Sequence, residues 1–174
     1  GTKKIAKNIN QDISNFDAIY KIIRQNKIDI VIIGPEEPLV NGITDFLKKK
    51  SVKVLGPSKF AAQLEGSKAF MKNLCKKNNI PTADFGVFDE FKKALDFIKN
   101  SKIPIVVKAD GLAAGKGVLI CNSKEEAITE TKKILSGKFK SSKKVVLEEF
   151  LEGEELSYFV LVDKNSYSFF GSAQ

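Results

Sequence analysis

The 174 residues of this chain are enough for one ordinary domain or two small ones, and their 43% hydrophobic and 29% charged content is typical of a globular protein. No run of 18 apolar residues is present, so the sequence predicts no membrane-spanning helix, and the N-terminal segment lacks the apolar region of a signal peptide. The chain has no histidine, which excludes a Ser-His or Cys-His nucleophilic pair within it.

The net charge of +8 is compatible with nucleic-acid binding, but the distribution of the basic residues favours another interpretation. The lysines are spread along the whole chain and Arg24 is the only arginine, whereas proteins that recognise nucleic acids use arginine for bidentate contacts and stacking. We therefore interpret the charge as a solvated lysine-rich surface and predict no nucleic-acid partner and no membrane partner.

Residues 1–57 are predicted to form part of a parallel βαβ domain. A helix capped by Ser14, with Asp17 as its capping-box partner, is expected to end near Asn26. The apolar, β-branched run 28–33 predicts a buried strand, the segment 41–50 a helix, and 52–55 a second buried strand. Strand, helix and strand at this spacing are typical of a parallel sheet.

From residue 58 onward the pattern changes to helices and antiparallel strands. Helices are predicted over 59–64, over 67–78, after Asp89, and from the capping box of Ser123 and Glu126 to about Gly137. Strands are predicted over 103–109, 118–121, 143–149, 155–162 and 167–173, the last two joined by a hairpin turn at 163–165. Cys75 in a helix and Cys121 at a strand end are expected to be buried free thiols, which favours a reducing cytoplasm.

The most informative segment for function is a glycine-rich loop between two predicted strands. Its sequence is Val106-Val107-Lys108-Ala109-Asp110-Gly111-Leu112-Ala113-Ala114-Gly115-Lys116-Gly117-Val118. The spacing does not fit a Walker A motif, because three residues separate Gly111 from Gly115 and a glycine follows Lys116. It predicts a flap between antiparallel strands whose backbone N–H groups and Lys116 bind phosphate oxygens. An ordinary hairpin with a flexible loop would show the same pattern.

Two other features favour an anion and nucleotide site over an ordinary hairpin. Lys108 lies within an apolar strand, so its ammonium group must reach solvent or meet an anion. The apolar strand at 145–147 continues into Glu148, Glu149, Phe150 and Leu151, with Glu155 two residues after a glycine. Carboxylates can accept hydrogen bonds from an adenine amine or ribose hydroxyls, and the Phe-Leu pair can offer backbone groups and an apolar wall.

Taken in order, these motifs resemble the ATP-grasp superfamily and, within it, the phosphoribosylamine–glycine ligase (glycinamide ribonucleotide synthetase) family. The matching blocks lie at 34–40, 56–58, 63–68, 108–117 and 148–155, and so cover nearly the whole chain. The resemblance implies an α/β and α+β fold in which a partial βαβ (pre-ATP-grasp) domain precedes the ATP-grasp lobes. It assigns 1–57 to the N-terminal substrate domain, 58–101 to a helical entry, 102–163 to the small lobe and 164–174 to the start of the large lobe.

The resemblance also implies a role for individual residues. Lys68 and Lys108 are expected to approach the ATP phosphates, under a flap that includes Gly111, Gly115, Lys116 and Gly117. Glu148 would face the adenine amino group, the backbone of Glu149, Phe150 and Leu151 would form the hinge, and Glu155 would hold the ribose hydroxyls. The turn formed by Gly34, Pro35 and Glu36 would face phosphoribosylamine, because it follows a parallel strand.

The implied reaction joins glycine to 5-phosphoribosylamine through a glycyl phosphate, converting ATP to ADP and phosphate. The family's opening strand and its magnesium-binding residues are not found here, so we expect an internal fragment that is inactive alone, with no catalytic residue of its own. Mg²⁺ or Mn²⁺ ligands are expected beyond Gln174, and a monomer is expected. Two other interpretations stay open: another ATP-grasp carboxylate–amine ligase or carboxylase, and a non-catalytic nucleotide-binding module.

Overall fold

The computed structural model describes residues 2–113, 115–139 and 142–174. Ala114, which belongs to the predicted flap, and Gly1 lie outside the described residues. Seventeen elements follow one another: a short 3₁₀ turn, seven α-helices, a π-type turn and eight strands, all within the described ranges. None of the helices in those ranges is both long and apolar enough to span a bilayer.

The N-terminal unit contains three helices and a two-stranded parallel sheet. Its helices are α1 (Phe16–Gln25), α2 (Glu36–Asn41) and α3 (Ile43–Lys49), and its strands are β1 (Val31–Ile32) and β2 (Val54–Leu55). Val31 pairs with Val54 and Ile32 with Leu55 in parallel, as the predicted βαβ unit requires. Ile23, Ile43 and Leu47 are buried at the centre of this unit.

Three predictions about this unit are wrong in detail. Asn15, and not Ser14, caps α1: its side-chain oxygen accepts from the backbone N–H of Ala18 at 3.0 Å. The predicted strand 28–33 is shortened to Val31–Ile32, the part that pairs with β2. The predicted helix at 41–50 is α3 and begins only at Ile43, because Gly42 adopts a left-handed conformation (φ 98°) that ends a preceding helix, α2, which was not predicted.

The second unit is built on a four-stranded antiparallel sheet. Its helices are α4 (Gln63–Gly66), α5 (Lys68–Lys77), α6 (Phe91–Asn100) and α7 (Lys124–Lys133), and a π-type turn spans Ile134–Lys138. Its strands are β3 (Phe85–Phe88), β4 (Ile105–Ala109), β5 (Val118–Cys121) and β6 (Val145–Glu149), in the order β3-β6-β4-β5. The predicted antiparallel pairing on either side of the glycine loop is confirmed by β4 and β5.

One face of this sheet carries the main hydrophobic core. Side chains alternate between faces along a strand, so residues two apart point the same way. Ile105, Val107 and Leu147 point towards α6 and α7 and are almost fully buried. Ser123 caps α7 by accepting from the N–H of Glu126 at 3.1 Å, as predicted.

The last two strands form a separate hairpin. β7 (Ser157–Val162) and β8 (Tyr167–Ala173) pair in antiparallel fashion, and Asp163 accepts from the backbone N–H groups of Asn165 and Ser166 in the turn, both at 2.8 Å. This confirms the predicted hairpin. All side chains of β7 are exposed, and in β8 only Gly171 is partly covered.

Candidate functional site

The face of the four-stranded sheet opposite the hydrophobic core carries the charged residues of the site. Lys108 alternates with Val107 and Ala109, and Glu148 alternates with Leu147, so both point away from α6 and α7. In the register, Lys108 lies opposite Val146, which makes Glu148 its diagonal neighbour. The same face is open over β5, where Val118 and Ile120 are 46% and 50% exposed. Charged groups therefore lie beside an exposed apolar surface.

Glu148 lies at the centre of a three-residue charged cluster. Its Oε2 accepts hydrogen bonds from Lys108 Nζ at 2.8 Å and from Lys72 Nζ at 3.2 Å. The Glu148 side chain is 6% exposed, so both contacts form in a poorly solvated environment. Of the two alternatives that the sequence left open for Lys108, solvent or an anion, the structure shows an anion, and within the described residues it is the carboxylate of Glu148.

The second carboxylate oxygen of Glu148 differs from the first in its hydrogen bonding. Oε1 is buried and has no hydrogen-bond partner among the described residues. A buried carboxylate oxygen without a donor is costly, since desolvation removes the hydrogen bonds that water would provide. The site therefore contains an acceptor that a ligand N–H group could satisfy.

Lys68 begins α5 and lies against the start of the flap. Ser67 caps the helix by accepting from the Phe70 N–H at 3.1 Å, and the Lys68 Nζ donates to the carbonyl of Gly111 at 2.9 Å. Burial lowers the pKa of Lys68, while Asp110 opposes that shift. Desolvation leaves this ammonium less well hydrated than a surface lysine, so a phosphate would compensate it effectively.

Asp110 connects the flap to the same helix. Its Oδ1 accepts from the Ser67 hydroxyl at 3.0 Å and from the Ala69 N–H at 3.1 Å. A carboxylate at a helix N-terminus satisfies free backbone N–H groups and interacts favourably with the helix dipole. Asp110 thus fixes the position of Lys68 relative to the glycine loop.

The described part of the flap has the backbone geometry that its glycines permit. Gly111 and Gly115 have φ values of 85° and 75°, a region that other residues rarely adopt. Gly117 is packed closely, because a Cβ there would lie 2.5 Å from the Ala113 Cβ, and its carbonyl accepts from the Ala109 N–H at 2.7 Å. Lys116 is exposed at the tip.

A cleft of about 770 Å³ separates the flap from the N-terminal unit. On one side it is lined by Glu36, Glu37 and Val40, and on the other by Lys68 and by Gly111, Gly115 and Gly117 of the flap. Of the predicted substrate turn, Glu36 therefore reaches the same cleft as the flap. Gly34 and Pro35 precede α2 and do not line the cleft.

The remaining predicted nucleotide residues lie at and beyond the end of β6. The backbone N–H of Glu149 donates to the Asp84 carbonyl, and its side chain accepts from the Asp84 N–H, each at 2.9 Å. Glu149 thus holds β6 to the segment before β3. Phe150 and Leu151 are exposed, and Glu155 is exposed without an ion pair in the ranges that the structure covers. The structure does not bring Glu155 to the charged cluster.

Sequence reasoning missed Lys72 and Asp110. Lys72 is separated from Glu148 by 76 positions, so their contact depends on how α5 packs on the sheet. A signal was present, since Lys72 lies four residues after Lys68 on one helical face, beside Ala69. Asp110 lies in the segment 106–118 that carries the glycine-rich loop, but the sequence did not predict a role for it.

Cys75 and Cys121 are free thiols, as predicted, although only Cys121 is fully buried. Burial raises the Cys121 pKa to about 11, with Glu126 and Glu130 adding to the shift. In the portion that the structure describes, no group of three or more His, Cys, Asp or Glu side chains is arranged to hold a metal ion.

Comparison with protein families matches both units of the chain. Residues 1–65 match "Phosphoribosylglycinamide synthetase, N domain" and residues 66–174 match "Phosphoribosylglycinamide synthetase, ATP-grasp (A) domain". A phosphoribosylamine–glycine ligase of Mesorhizobium japonicum is 46% identical over 164 residues, covering 94% of this chain and 39% of that protein. One from Clostridium acetobutylicum is 46% identical over 166 residues, covering 94% and 40%. The chain thus spans about two fifths of the length of these relatives.

Solved structures agree with the family comparison. The phosphoribosylamine–glycine ligase of Thermotoga maritima matches with a TM-score of 0.76 and 38% identity, over 95% of this chain and 39% of that one. A biotin carboxylase from Campylobacter jejuni matches with a TM-score of 0.77 at 18% identity, over 91% of this chain and 37% of that one. The second likeness shows the shared fold alone.

Proposed function

Because the chain belongs to the phosphoribosylglycinamide synthetase family, we propose that it forms the ATP-binding part of an enzyme that joins glycine to 5-phosphoribosylamine. The observation that carries this proposal is the cluster on the open sheet face. Two lysines meet one carboxylate there, and the second carboxylate oxygen lacks a donor among the described residues. An adenine amino group and a phosphate chain would satisfy these groups together.

Lys68, Lys108 and the flap bind the phosphates in this proposal. Lys108 lies in β4 just before the loop that starts at Gly111, and Lys68 donates to the Gly111 carbonyl. The positive φ values of Gly111 and Gly115 allow the backbone to approach phosphate oxygens closely. Lys116, exposed at the loop tip, adds a positive charge, and the carbonyl of Gly117 accepts from the Ala109 N–H at the base of the loop.

Glu148 accepts from the adenine amino group through Oε1, and the exposed apolar side chains Val118 and Ile120 provide a wall for the base. The hinge formed by Glu149, Phe150 and Leu151 and the ribose contact of Glu155 remain predictions from the family resemblance. The backbone N–H of Glu149 is bonded to the Asp84 carbonyl, so this N–H is not a hinge donor.

The proposed reaction requires no nucleophile from the protein. A glycine carboxylate oxygen attacks the γ-phosphorus, the bond to the bridging oxygen breaks, and ADP leaves. The phosphoribosylamine nitrogen then attacks the glycyl phosphate carbonyl, phosphate leaves with the electron pair, and the nitrogen loses a proton. The residues of this chain contribute by positioning the phosphates and neutralising their charge. The cleft shared by Glu36 and the flap is where glycine and the phosphoribosylamine would meet ATP.

We propose that the whole enzyme uses Mg²⁺ or Mn²⁺ with ATP. Among the described residues, no group of three or more His, Cys, Asp or Glu side chains is arranged to hold such an ion. We also propose that the whole enzyme is a cytoplasmic monomer that has no nucleic-acid partner.

Nucleotide titration tests the proposal. The 174-residue chain should bind ATP measurably by calorimetry, and Lys108→Met should weaken binding by roughly ten- to a hundredfold, since it removes a charge-assisted contact worth about 1.5–3 kcal/mol. Lys93→Met is the matched control, because Lys93 pairs with Glu90 on the exposed surface. Equal losses in the two variants, or no ATP binding by the unsubstituted chain, would contradict the proposal.

A further inference from the structure

We propose that Lys72 is a positioning residue that holds Glu148 ready for an N–H donor and so makes the site select 6-amino over 6-oxo purine nucleotides. The inference rests on the proposed function, because it assumes that Glu148 faces the base of a bound nucleotide. Nothing in the sequence motifs assigned Lys72 a role.

Lys72 is held in place from several directions. Its Nζ donates to Thr82 Oγ1 at 2.7 Å, to the Ala83 carbonyl at 2.7 Å and to Glu148 Oε2 at 3.2 Å. An ammonium group has three donors, so this set uses its full capacity. The Phe85 ring also lies 5.0 Å from Nζ, and the Lys72 side chain is only 1% exposed. Lys72 is therefore a fixed charge in this site.

The two lysines that share Glu148 Oε2 differ in freedom. The Lys108 side chain is 24% exposed, and the one hydrogen bond of its ammonium group among the described residues is to Glu148. A phosphate, which carries more charge than a carboxylate, can draw the Lys108 ammonium away from Glu148. Lys72 cannot follow it without leaving Thr82 and Ala83. When Lys108 turns to a phosphate, Lys72 remains as the hydrogen-bond donor that holds the Glu148 carboxylate in its orientation.

This division of roles explains why Oε1 is left as an acceptor. Both lysines bind Oε2, so the carboxylate is held at one oxygen and Oε1 has no donor in the part of the chain that is described. A 6-amino purine offers an N–H donor to that oxygen. A 6-oxo purine offers only another acceptor at the same position, which leaves two lone-pair groups facing each other. A buried site that forms a hydrogen bond to one functional group of its ligand discriminates strongly against an analogue that lacks this group.

Titration of ATP and ITP against four forms of the chain tests the inference. The unsubstituted chain should favour ATP by roughly tenfold or more, as one buried hydrogen bond implies. Lys72→Met should reduce that ratio towards one, mainly by weakening ATP. Lys76→Met is the matched control, because Lys76 lies one helical turn further along α5, is exposed, and approaches the same Phe85 ring at 5.9 Å. Its ratio should equal that of the unsubstituted chain.

A second substitution tests the role of Lys72 in the event that the Lys72→Met chain does not fold. Thr82→Val removes one acceptor of the Lys72 ammonium at an exposed position, so the chain keeps its fold and Lys72 is held less firmly. We expect the ATP-to-ITP ratio to fall by roughly threefold. If circular dichroism shows that Lys72→Met is unfolded, the ATP-to-ITP affinity ratio of Thr82→Val alone tests the role of Lys72.

The outcomes separate this inference from the proposed function. A folded Lys72→Met chain with an unchanged ratio, or an unchanged ratio in Thr82→Val, would overturn the role of Lys72 while ATP binding stands. Equal binding of ATP and ITP by the unsubstituted chain would overturn the proposal that Glu148 recognises the 6-amino group of the base. Absence of any ATP binding would overturn the proposed function, and the inference with it.

Discussion

The four-stranded sheet and the β7–β8 hairpin are made of similar residues but have different environments. Both contain runs of valine, leucine and phenylalanine that favour strands. In β6, Val145, Val146 and Leu147 are fully buried, whereas every side chain of β7 is exposed. A strand pattern therefore predicts pairing but not packing. Lys108 and Glu148 of the proposed site lie in the sheet, where a packed opposite face holds their backbone rigid.

The largest effect should come from the carboxylate of the packed region. Glu148→Gln should reduce the free energy of unfolding by about 3–5 kcal/mol, because it leaves the Lys72 ammonium buried without a counter-charge. Glu155→Gln, in the exposed segment before the hairpin, should change it by less than about 0.5 kcal/mol. Urea unfolding followed by circular dichroism measures both. Similar losses of unfolding free energy in the two variants would show that the packed sheet and the exposed hairpin region do not differ in how strongly their charged residues stabilise the fold.

A smaller difference is expected for matched apolar residues. Leu147→Ala should cost about 2–5 kcal/mol, because the side chain is fully buried between the sheet and its helices. Leu161→Ala in the hairpin, where the side chain is 48% exposed, should cost less than about 1 kcal/mol. The same urea experiment applies. A loss above 2 kcal/mol at Leu161 would mean that the hairpin is packed in solution.

Helix capping at the edge of the core should have a more moderate effect. Ser123→Ala removes the hydroxyl that accepts from the Glu126 N–H, and should cost about 1 kcal/mol. Ser166→Ala in the hairpin turn should cost less than half of that, because the backbone N–H groups of Asn165 and Ser166 still bind Asp163. Equal costs would indicate that the turn, and not the strands, determines hairpin stability.

The thiol in the packed region provides a dependence on pH. The Cys121 pKa is raised from 9.0 to about 11 by burial, so the unfolded chain releases this proton at lower pH than the folded chain does. Stability should therefore decline between about pH 9 and pH 11, and Cys121→Ala should reduce that decline. Thermal unfolding of both chains across this range provides the measurement. The same slope in both would show that Cys121 does not titrate as its burial requires.

The sequence predicted most of the helices and strands that carry the proposed site. Alternation and the glycine spacing correctly predicted antiparallel strands around the flap. The position of Lys108 in an apolar strand left solvent and an anion open as its surroundings, and packing decided for the Glu148 carboxylate. The charge partners of Glu148 were not predictable in full, since the contact with Lys72 depends on the packing of α5 against β3 and β6. Local patterns specify elements, whereas contacts between distant segments depend on tertiary packing.

The errors in the fold have a similar cause. Ser14 and Asn15 are both good capping residues, and the choice between them depends on where the backbone turns into α1. Gly42 separates α2 from α3 and moves the start of the helix predicted at 41–50 to Ile43, although glycine within a helical pattern is often tolerated. The exposure of β7 could not be read from its apolar run, because the same run is typical of a strand covered on both faces.

The most direct test of the central claim is a crystal structure of the chain with a non-hydrolysable ATP analogue. We predict that the adenine amino nitrogen lies about 2.9 Å from Glu148 Oε1, with Lys72 still bound to Oε2. The phosphates should lie between Lys68 and Lys108 beneath the loop at 111–117. An analogue bound elsewhere, or with its amino group turned away from Glu148, would contradict the account.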